Sequence, residues 1–440
     1  MEWAFALVLL LGLLVTVMLS GVPVAFSFLA VNALGAYLFL GGEIGFGQIV
    51  RNALQAVLNY SLAPIPLFIL IGELMVHSGL AFRALDAIDK LISRVPGRMP
   101  IVALTAGTAF SALSGSSLAN TSMLGSTLLP NMLKRGYHPI VAIGPIVAVG
   151  GLAVLIPPSG LAVLMGSLAK ISISAMLIGG IVPGLIMAAL FVGYIVFRAV
   201  YSPQWMPADD GFEKLSLLER LGPFLRDVVP LFLIFVAIVG SLLGGIATPT
   251  ESAALGVAAT LIIAALYKRL SPSALLTAIL ETGKVSGMIF FIAAASITFS
   301  QVLAFSGAAS GLLRAIEALS LTPLMIILVI AAVLLFLGCF IDQVSMMMIT
   351  IPFFIPLAAG ANIDLVWVGI IYLICLEIGI ITPPFGLLLF VMKGVAPPQV
   401  TMGIIIRAIL PFLSIKLFVL GLVILIPLLA TGLPAMLLGR

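Results

Sequence analysis

Apolar windows close to the length of a bilayer crossing recur from one end of this chain to the other. "AFALVLLLGLLVTVMLS", "VPLFLIFVAIVGSLLGG" and "ALGVAATLIIAALY" are examples. About 20 such residues span the hydrocarbon core as a helix. In lipid every backbone N–H and C=O must be satisfied internally, so a chain built this way is an all-α polytopic membrane protein. Against this background "AVLIPPSGLAVLMG" stands out, because Pro157 and Pro158 lie inside an apolar run. Each proline removes a helix donor and costs an intact helix about 3 kcal/mol or more.

Only 8% of the 440 residues are charged and 62% are hydrophobic, which leaves no segment for a soluble domain. The start Met1-Glu2-Trp3 lacks the basic region of a secretory signal, so the first apolar run is expected to remain as an anchor. Cys339 and Cys375 lie in apolar surroundings without metal-ligand spacing and read as small core residues. The modest excess of 20 Lys and Arg over 16 Asp and Glu reports membrane orientation; no nucleic-acid partner is implied.

The chain reads as two copies of one pattern. Residues 1–200 form a first repeat, 201–227 a polar loop between repeats, and 228–440 a second repeat. Pro23 and Pro249, Pro130 and Pro356, and Pro158 and Pro384 are all separated by 226 positions. Each half holds five crossings and one apolar excursion that enters and leaves on the same side. The excursions are Met99 to Leu133 and Pro323 to Ala359, and the broken crossings are Pro139 to Lys170 and Asp364 to Lys393. Five is odd, so the second copy is inverted, as in secondary transporters.

Charge tests that topology. With the N-terminus outside, fifteen basic residues, among them Lys90, Arg94, Lys134, Arg135 and Arg226, fall on inner loops. Arg51, Lys170, Arg314 and Arg440 remain outside, which agrees with the positive-inside rule. Both termini are then periplasmic.

The first excursion turns at Ser114, Gly115, Ser116 and Ser117, followed by Asn120 and Thr121. The second turns at Gly338, Asp342, Gln343 and Ser345. Such irregular backbone is tolerated at membrane depth only inside protein or along a wet cavity. The breaks at Pro157-Pro158 and Pro383-Pro384 strand carbonyls of the preceding turn, Ile156 and Thr382 among them. Together with hydroxyls such as Ser159, these are hard oxygen ligands for a small cation. Half-helices starting at Gly160 and Gly386 offer free N–H groups and a positive dipole end to an anion. Asn120, Ser159, Gln343 and Pro384 lie beside them and complete the candidate substrate site.

At these residues the sequence resembles the large membrane subunit of the tripartite ATP-independent periplasmic (TRAP) transporters. The match rests on "SALSGSSLANTSMLGSTLLPNMLKRGY", "GGIATPTESAALG", "LGCFIDQVSMMMITIPFFIPL" and "ITPPFGLLLFVMKGVAP", spread over nearly the whole chain. The resemblance implies an elevator-type carrier in the bacterial inner membrane that takes up a dicarboxylate, sialic acid or similar organic anion. It implies a separate small four-helix membrane subunit, a soluble periplasmic substrate-binding protein, and sodium ions as the coupling species. Carried onto this chain, one sodium site lies between Ser114, Gly115, Ser116, Ser117 and the Ile156, Pro157, Ser159 break. The other lies between Gly338, Asp342 and the Thr382, Pro383 break.

Several titratable residues fall in or beside apolar segments. Asp342 is expected to organise a hairpin tip or a cation environment, and Glu251 to occupy a helix first turn. Glu73 and Glu377 suit a cation partner or a proton path, and Lys416 a headgroup or partner chain. His77 and His138 read as interfacial. "FGQIVRNALQAVLNY" and "SPSALLTAILETGK" read as a pair of amphipathic helices along the interface, with membrane lipid as their neighbour. No HExxH or nucleophile motif supports an enzyme. The rival within transport is a self-sufficient sodium- or proton-coupled anion carrier that needs no binding protein.

Overall fold

The computed structural model describes residues 3–92, 98–114, 116–207, 216–317, 319 and 321–438, and among them every regular element is helical. Among the described residues, seven helices are long and apolar enough to cross a membrane, and further apolar helices of 10–17 residues accompany them.

One group of helices braces the molecule. Trp3–Leu19 packs on Val24–Phe39 and that on Glu43–Leu58; Pro272–Phe305 packs on Val24–Phe39, Glu43–Leu58 and Pro64–His77, and Pro249–Leu266 packs between Pro64–His77 and Val229–Leu243. Polar side chains fasten the first-half helices to the long helix. Asn52 Nδ2 donates to Thr298 Oγ1 at 3.2 Å and to Gln301 Oε1 at 2.8 Å, and Asn32 Nδ2 donates to the Ala295 carbonyl at 2.7 Å. Pro249–Leu266 starts on a capping box: Glu251 Oε2 accepts from Thr248 N at 2.7 Å while Thr248 Oγ1 accepts from Glu251 N at 3.3 Å. The first-turn place expected for Glu251 is therefore the one it holds, and it satisfies orphan donors there.

The two excursions are helical hairpins. Arg98–Ser114 is followed by Ser117–Lys134, and Pro323–Gly338 by Gln343–Gly360. Both broken crossings are interrupted where the prolines stand. Pro139–Gly151 passes into a 3-10 turn at Leu152–Val154 before Gly160–Ala169 begins, and Leu365–Gly379 is separated from Leu387–Val395. The Pro157-Pro158 and Pro383-Pro384 peptide bonds are both cis.

Ser117–Lys134 and Gln343–Gly360 begin and end 226 positions apart, as do the starts Pro139 and Leu365 and the caps His138 and Asp364. Packing follows the same correspondence: Ser117–Lys134 lies against Leu387–Val395, and Gln343–Gly360 against Gly160–Ala169.

Three segments differ from the sequence reading. The second amphipathic helix and the crossing after it are one helix, Pro272–Phe305, of 34 residues. Its counterpart is divided into Glu43–Leu58 and Pro64–His77 around the turn Tyr60–Leu62, because Asn59 and Pro64 punctuate it. Gly283 and Gly287 do not end the long helix, since an interior glycine costs only about 1 kcal/mol. Helix also begins inside the polar 201–227 stretch, at Leu217, where Ser216 and Glu219 form a capping box and the chain runs on through Phe224–Val228 into Val229–Leu243. Finally, Met402–Leu425 stops short and Leu428–Leu438 follows as a separate helix, with Pro427 between them.

Candidate functional site

At the first hairpin, Ser116 caps Ser117–Lys134, its Oγ accepting from Ala119 N at 3.3 Å. Gly115 lies outside the described residues, and of Ser114 the structure describes only its place at the end of Arg98–Ser114. Asn120 is fully buried; its Nδ2 donates to the Gly107 carbonyl at 3.2 Å and closely to Ser111 Oγ. Ser111 Oγ in turn donates to the Val149 carbonyl at 2.9 Å, which joins the hairpin to the first broken helix. Two polar atoms here are buried without a hydrogen-bond partner, Asn120 Oδ1 and Thr121 Oγ1. Thr121 faces Gly150 so closely that a Cβ on that glycine would fall 1.9 Å from Thr121 Oγ1. Buried polar atoms are rarely left unpaired, so this pair of oxygens has the character of a ligand site.

At the first break, Ser159 Oγ donates to the Val154 carbonyl at 2.6 Å and accepts from Ala162 N at 3.2 Å, so it closes the loop and caps Gly160–Ala169. Ile156, Pro157 and Ser159 are buried. Among the described residues, no backbone N–H reaches the carbonyl of Ile156 or that of Thr382.

The second hairpin is organised by Asp342. Its Oδ1 accepts from Val344 N at 3.0 Å and Ser345 N at 3.1 Å, and Oδ2 accepts from the Ser345 hydroxyl. Gln343 Nε2 donates to the Leu376 carbonyl at 3.2 Å, and Phe385 N to the Cys339 carbonyl at 3.2 Å. These bonds tie the tip to both sides of the second break. Within the break, Thr382 Oγ1 donates to the Ile378 carbonyl at 2.6 Å and Leu388 N to the Ile380 carbonyl at 3.0 Å. Gly386 folds back on this loop: a Cβ there would lie 2.9 Å from the Ile381 carbonyl carbon. Gly338, Asp342, Gln343, Gly379 and Phe385 enclose a cavity of about 160 Å³ between tip and break.

A larger cavity, about 390 Å³, joins the two halves. Ser116, Ser117, Gly160, Asp342, Gln343, Ser345 and Leu387 line one side, and Pro23, Ile65, Glu73, Val285 and Ile289 line the other. Four helices of the hairpins and broken crossings thus begin at its wall, Ser117–Lys134, Gly160–Ala169, Gln343–Gly360 and Leu387–Val395, and Val24–Phe39 begins there as well, at Pro23-Val24. Helix N-termini carry about half a positive charge each, and no Lys or Arg is among the described lining residues. Glu73 on that wall pairs with His77, Oε2 to Nε2 at 3.2 Å.

The cavity therefore brings together Ser116, Ser117, Gly160, Asp342 and Gln343. Asn120, Pro157, Ser159, Thr382, Pro383, Pro384 and Gly386 are not on its lining, and Ile156 lines a separate apolar groove with Thr105 and Phe232. The sequence did not single out Ser111, Gly150 or Gly379; each is a contact between segments far apart in the chain. Lys416 does not reach a headgroup or a partner chain: it is fully buried, its Nζ donating to Glu377 Oε1 at 2.8 Å.

The family model for the tripartite ATP-independent periplasmic transporter, DctM component, matches residues 11–429. The C4-dicarboxylate TRAP transporter large permease protein DctM of Pseudomonas aeruginosa is 35% identical over 86% of this chain and 86% of its own length. The sialic acid TRAP transporter large permease protein SiaM of Vibrio cholerae is 30% identical over 96% of each chain. An ectoine/5-hydroxyectoine large permease of Ruegeria pomeroyi is 29% identical over 85% of this chain and 86% of its own. Among solved structures, the YdaH transporter of Alcanivorax borkumensis superposes with a TM-score of 0.62 at 14% identity, covering 91% of this chain and 95% of that one, a likeness of fold alone. These relatives are transport permeases and not enzymes, and the chain belongs to the DctM family, the large membrane permease component of TRAP transporters.

Proposed function

We propose that this permease carries a small organic anion across the bacterial inner membrane by sodium-coupled, elevator-type secondary transport, accepting it from a soluble periplasmic binding protein. One observation carries the reading: four helix N-termini, two from hairpin tips and two from broken helices, open on a single 390 Å³ cavity. That arrangement suits a carboxylate without any basic side chain.

The braced group, Val24–Phe39, Pro64–His77 and Pro272–Phe305 among it, is the fixed wall in this mechanism, and the hairpins with the broken helices are the moving part. The 226-residue correspondence of helix bounds and packing supports an inverted repeat, and the distribution of basic residues supports periplasmic termini. Sodium is assigned to two places. The first is near the Ser116–Ser117 tip, with Asn120 Oδ1, Thr121 Oγ1 and the Ile156 carbonyl as available oxygens. The second is between Gly338, Asp342 and the Thr382 carbonyl.

The small membrane subunit is a separate partner on this reading. The relatives' names range from C4-dicarboxylate through sialic acid to ectoine, and the cargo proposed here is an organic anion delivered by the cognate binding protein. Uptake into proteoliposomes holding both membrane subunits, with the loaded binding protein outside, tests it. An inward sodium gradient is expected to drive accumulation, and a potassium gradient to give none. Undiminished uptake in potassium overturns sodium coupling. Uptake by this chain alone would instead establish the self-sufficient carrier.

A further inference from the structure

Glu377 and Lys416 are joined by a 2.8 Å hydrogen bond and have no exposed surface. The second carboxylate oxygen, Glu377 Oε2, is buried without a partner. Glu377 stands in the last turn of Leu365–Gly379, and Gly151 ends Pro139–Gly151 directly beside the pair. A Cβ on Gly151 would fall 2.6 Å from Lys416 Nζ and 2.7 Å from Glu377 Cγ. Lys416 comes from a third element, Met402–Leu425, which packs against both. The ring of Phe191 closes a further side, its centroid 5.9 Å from Nζ.

The ammonium thus sits where the first halves of both broken helices end. Peptide dipoles leave negative charge at such ends, and Glu377 adds a full negative charge. An aromatic face is favourable to a cation as well.

We propose that the Lys416 ammonium is a tethered cation. It permanently fills a monovalent-cation site formed by Glu377, Gly151 and the two converging helix ends, a site separate from both proposed sodium sites. Its bearing on coupling rests on the sodium-driven reading above: a fixed ammonium reduces by one the free ions needed to neutralise the moving part. The site itself does not depend on that reading.

Melting of the purified membrane complex tests the site directly. Lys416→Ala removes the ammonium and leaves Glu377. In choline chloride this variant is expected to melt well below wild type. Sodium or potassium at equal ionic strength should raise its Tm by roughly 3 °C or more beyond any rise in wild type. The combined Lys416→Ala, Glu377→Gln variant should lose that extra rise. The sodium Hill coefficient of Lys416→Ala uptake should increase by about one.

A Lys416→Ala protein with the wild-type cation response overturns the proposal. So does one rescued by acid and not by cations, because Glu377 then takes a proton. Failure to recover Lys416→Ala in either cation, with the combined variant folding, also overturns it. Sodium-independent uptake by wild type would refute the transport reading while leaving the melting result to decide this one.

Discussion

Gly338 and Gly379 meet backbone to backbone: a Cβ on Gly338 would lie 2.8 Å from the Gly379 Cα, and one on Gly379 would lie 2.7 Å from the Gly338 Cα. The second hairpin touches the second broken helix here, next to the cavity that contains Asp342 and Gln343. No larger residue fits at either position without moving a helix. Gly379→Ala is expected to cost about 1–3 kcal/mol through overpacking. Gly240→Ala, with nothing within 4 Å of its added carbon, should leave the Tm equal to or above wild type. Thermal melts of the two variants side by side check the contrast.

Asp342 uses both carboxylate oxygens to hold its own helix start. Asn is as good an N-cap as Asp, whereas Ala costs about 1 kcal/mol. Asp342→Asn should therefore keep the melting temperature but need more sodium for uptake, because Asp342 belongs to the second proposed sodium site, and Asp342→Ala should lose stability. An Asp342→Asn variant that folds normally but needs far more sodium would show that the charge itself serves the ion.

Thr121 presents a buried hydroxyl without a partner to Gly150. Replacing it by the isosteric valine removes an unsatisfied group, which is close to neutral for stability. If that oxygen serves an ion, Thr121→Val should keep its melting point and raise the sodium half-saturation by roughly tenfold, the equivalent of about 1.4 kcal/mol. A sodium titration of uptake that matches wild type would remove Thr121 from the site.

His138 caps Pro139–Gly151 through Nδ1, which accepts from Ile140 N at 3.3 Å, and its ring stacks on Trp205 at 4.5 Å. Partial desolvation, and secondarily the Arg198 guanidinium, hold its pKa below the ordinary histidine value. The folded state therefore favours the neutral ring, and the unfolded chain binds the proton first. This contribution is complete above the unfolded pKa, about 6.5, and is lost as pH falls through the lower folded value. His138→Asn keeps a cap and removes the titration. Its Tm should fall less than that of wild type between neutral and mildly acidic pH.

Lys90 and Arg314 are both exposed, and the charge distribution assigns them to opposite faces of the membrane. In a background without Cys339 and Cys375, a cysteine at position 90 should react with an impermeant thiol reagent only from the cytoplasmic side. One at position 314 should react only from the periplasm. Labelling of both from the same side would reverse the topology. Arg94, a neighbouring inner-side expectation, lies outside the described residues.

Pro157-Pro158 and Pro383-Pro384 made the breaks legible because proline acts locally: a missing N–H interrupts a helix whatever surrounds it. The hairpin tips at Ser116 and Asp342 were legible for a similar reason, as short polar stretches between two apolar arms; that both residues cap the helices that follow emerged only from the structure. Glu377 and Lys416 were each visible as anomalies, yet nothing local paired residues 39 positions apart. Thr121 against Gly150 and Gly338 against Gly379 were hidden likewise, since they exist only once helices pack. The long helix was misread for the opposite reason: it was divided at Lys284, where the exposed Gly283 and Gly287 cost a continuous helix only about 1 kcal/mol each.

Pro272–Phe305 is about 51 Å long at 1.5 Å per residue, while a hydrocarbon layer is about 30 Å thick. A rod of that length must lean or project, whereas its first-half counterpart bends at Tyr60–Leu62 to meet the same thickness. The molecule thus grips its bilayer unequally, with a jointed strut on one flank and an unyielding one on the other. Thinning or thickening of the surrounding lipid would be taken up first at the joint, a few residues from the cavity wall at Ile65.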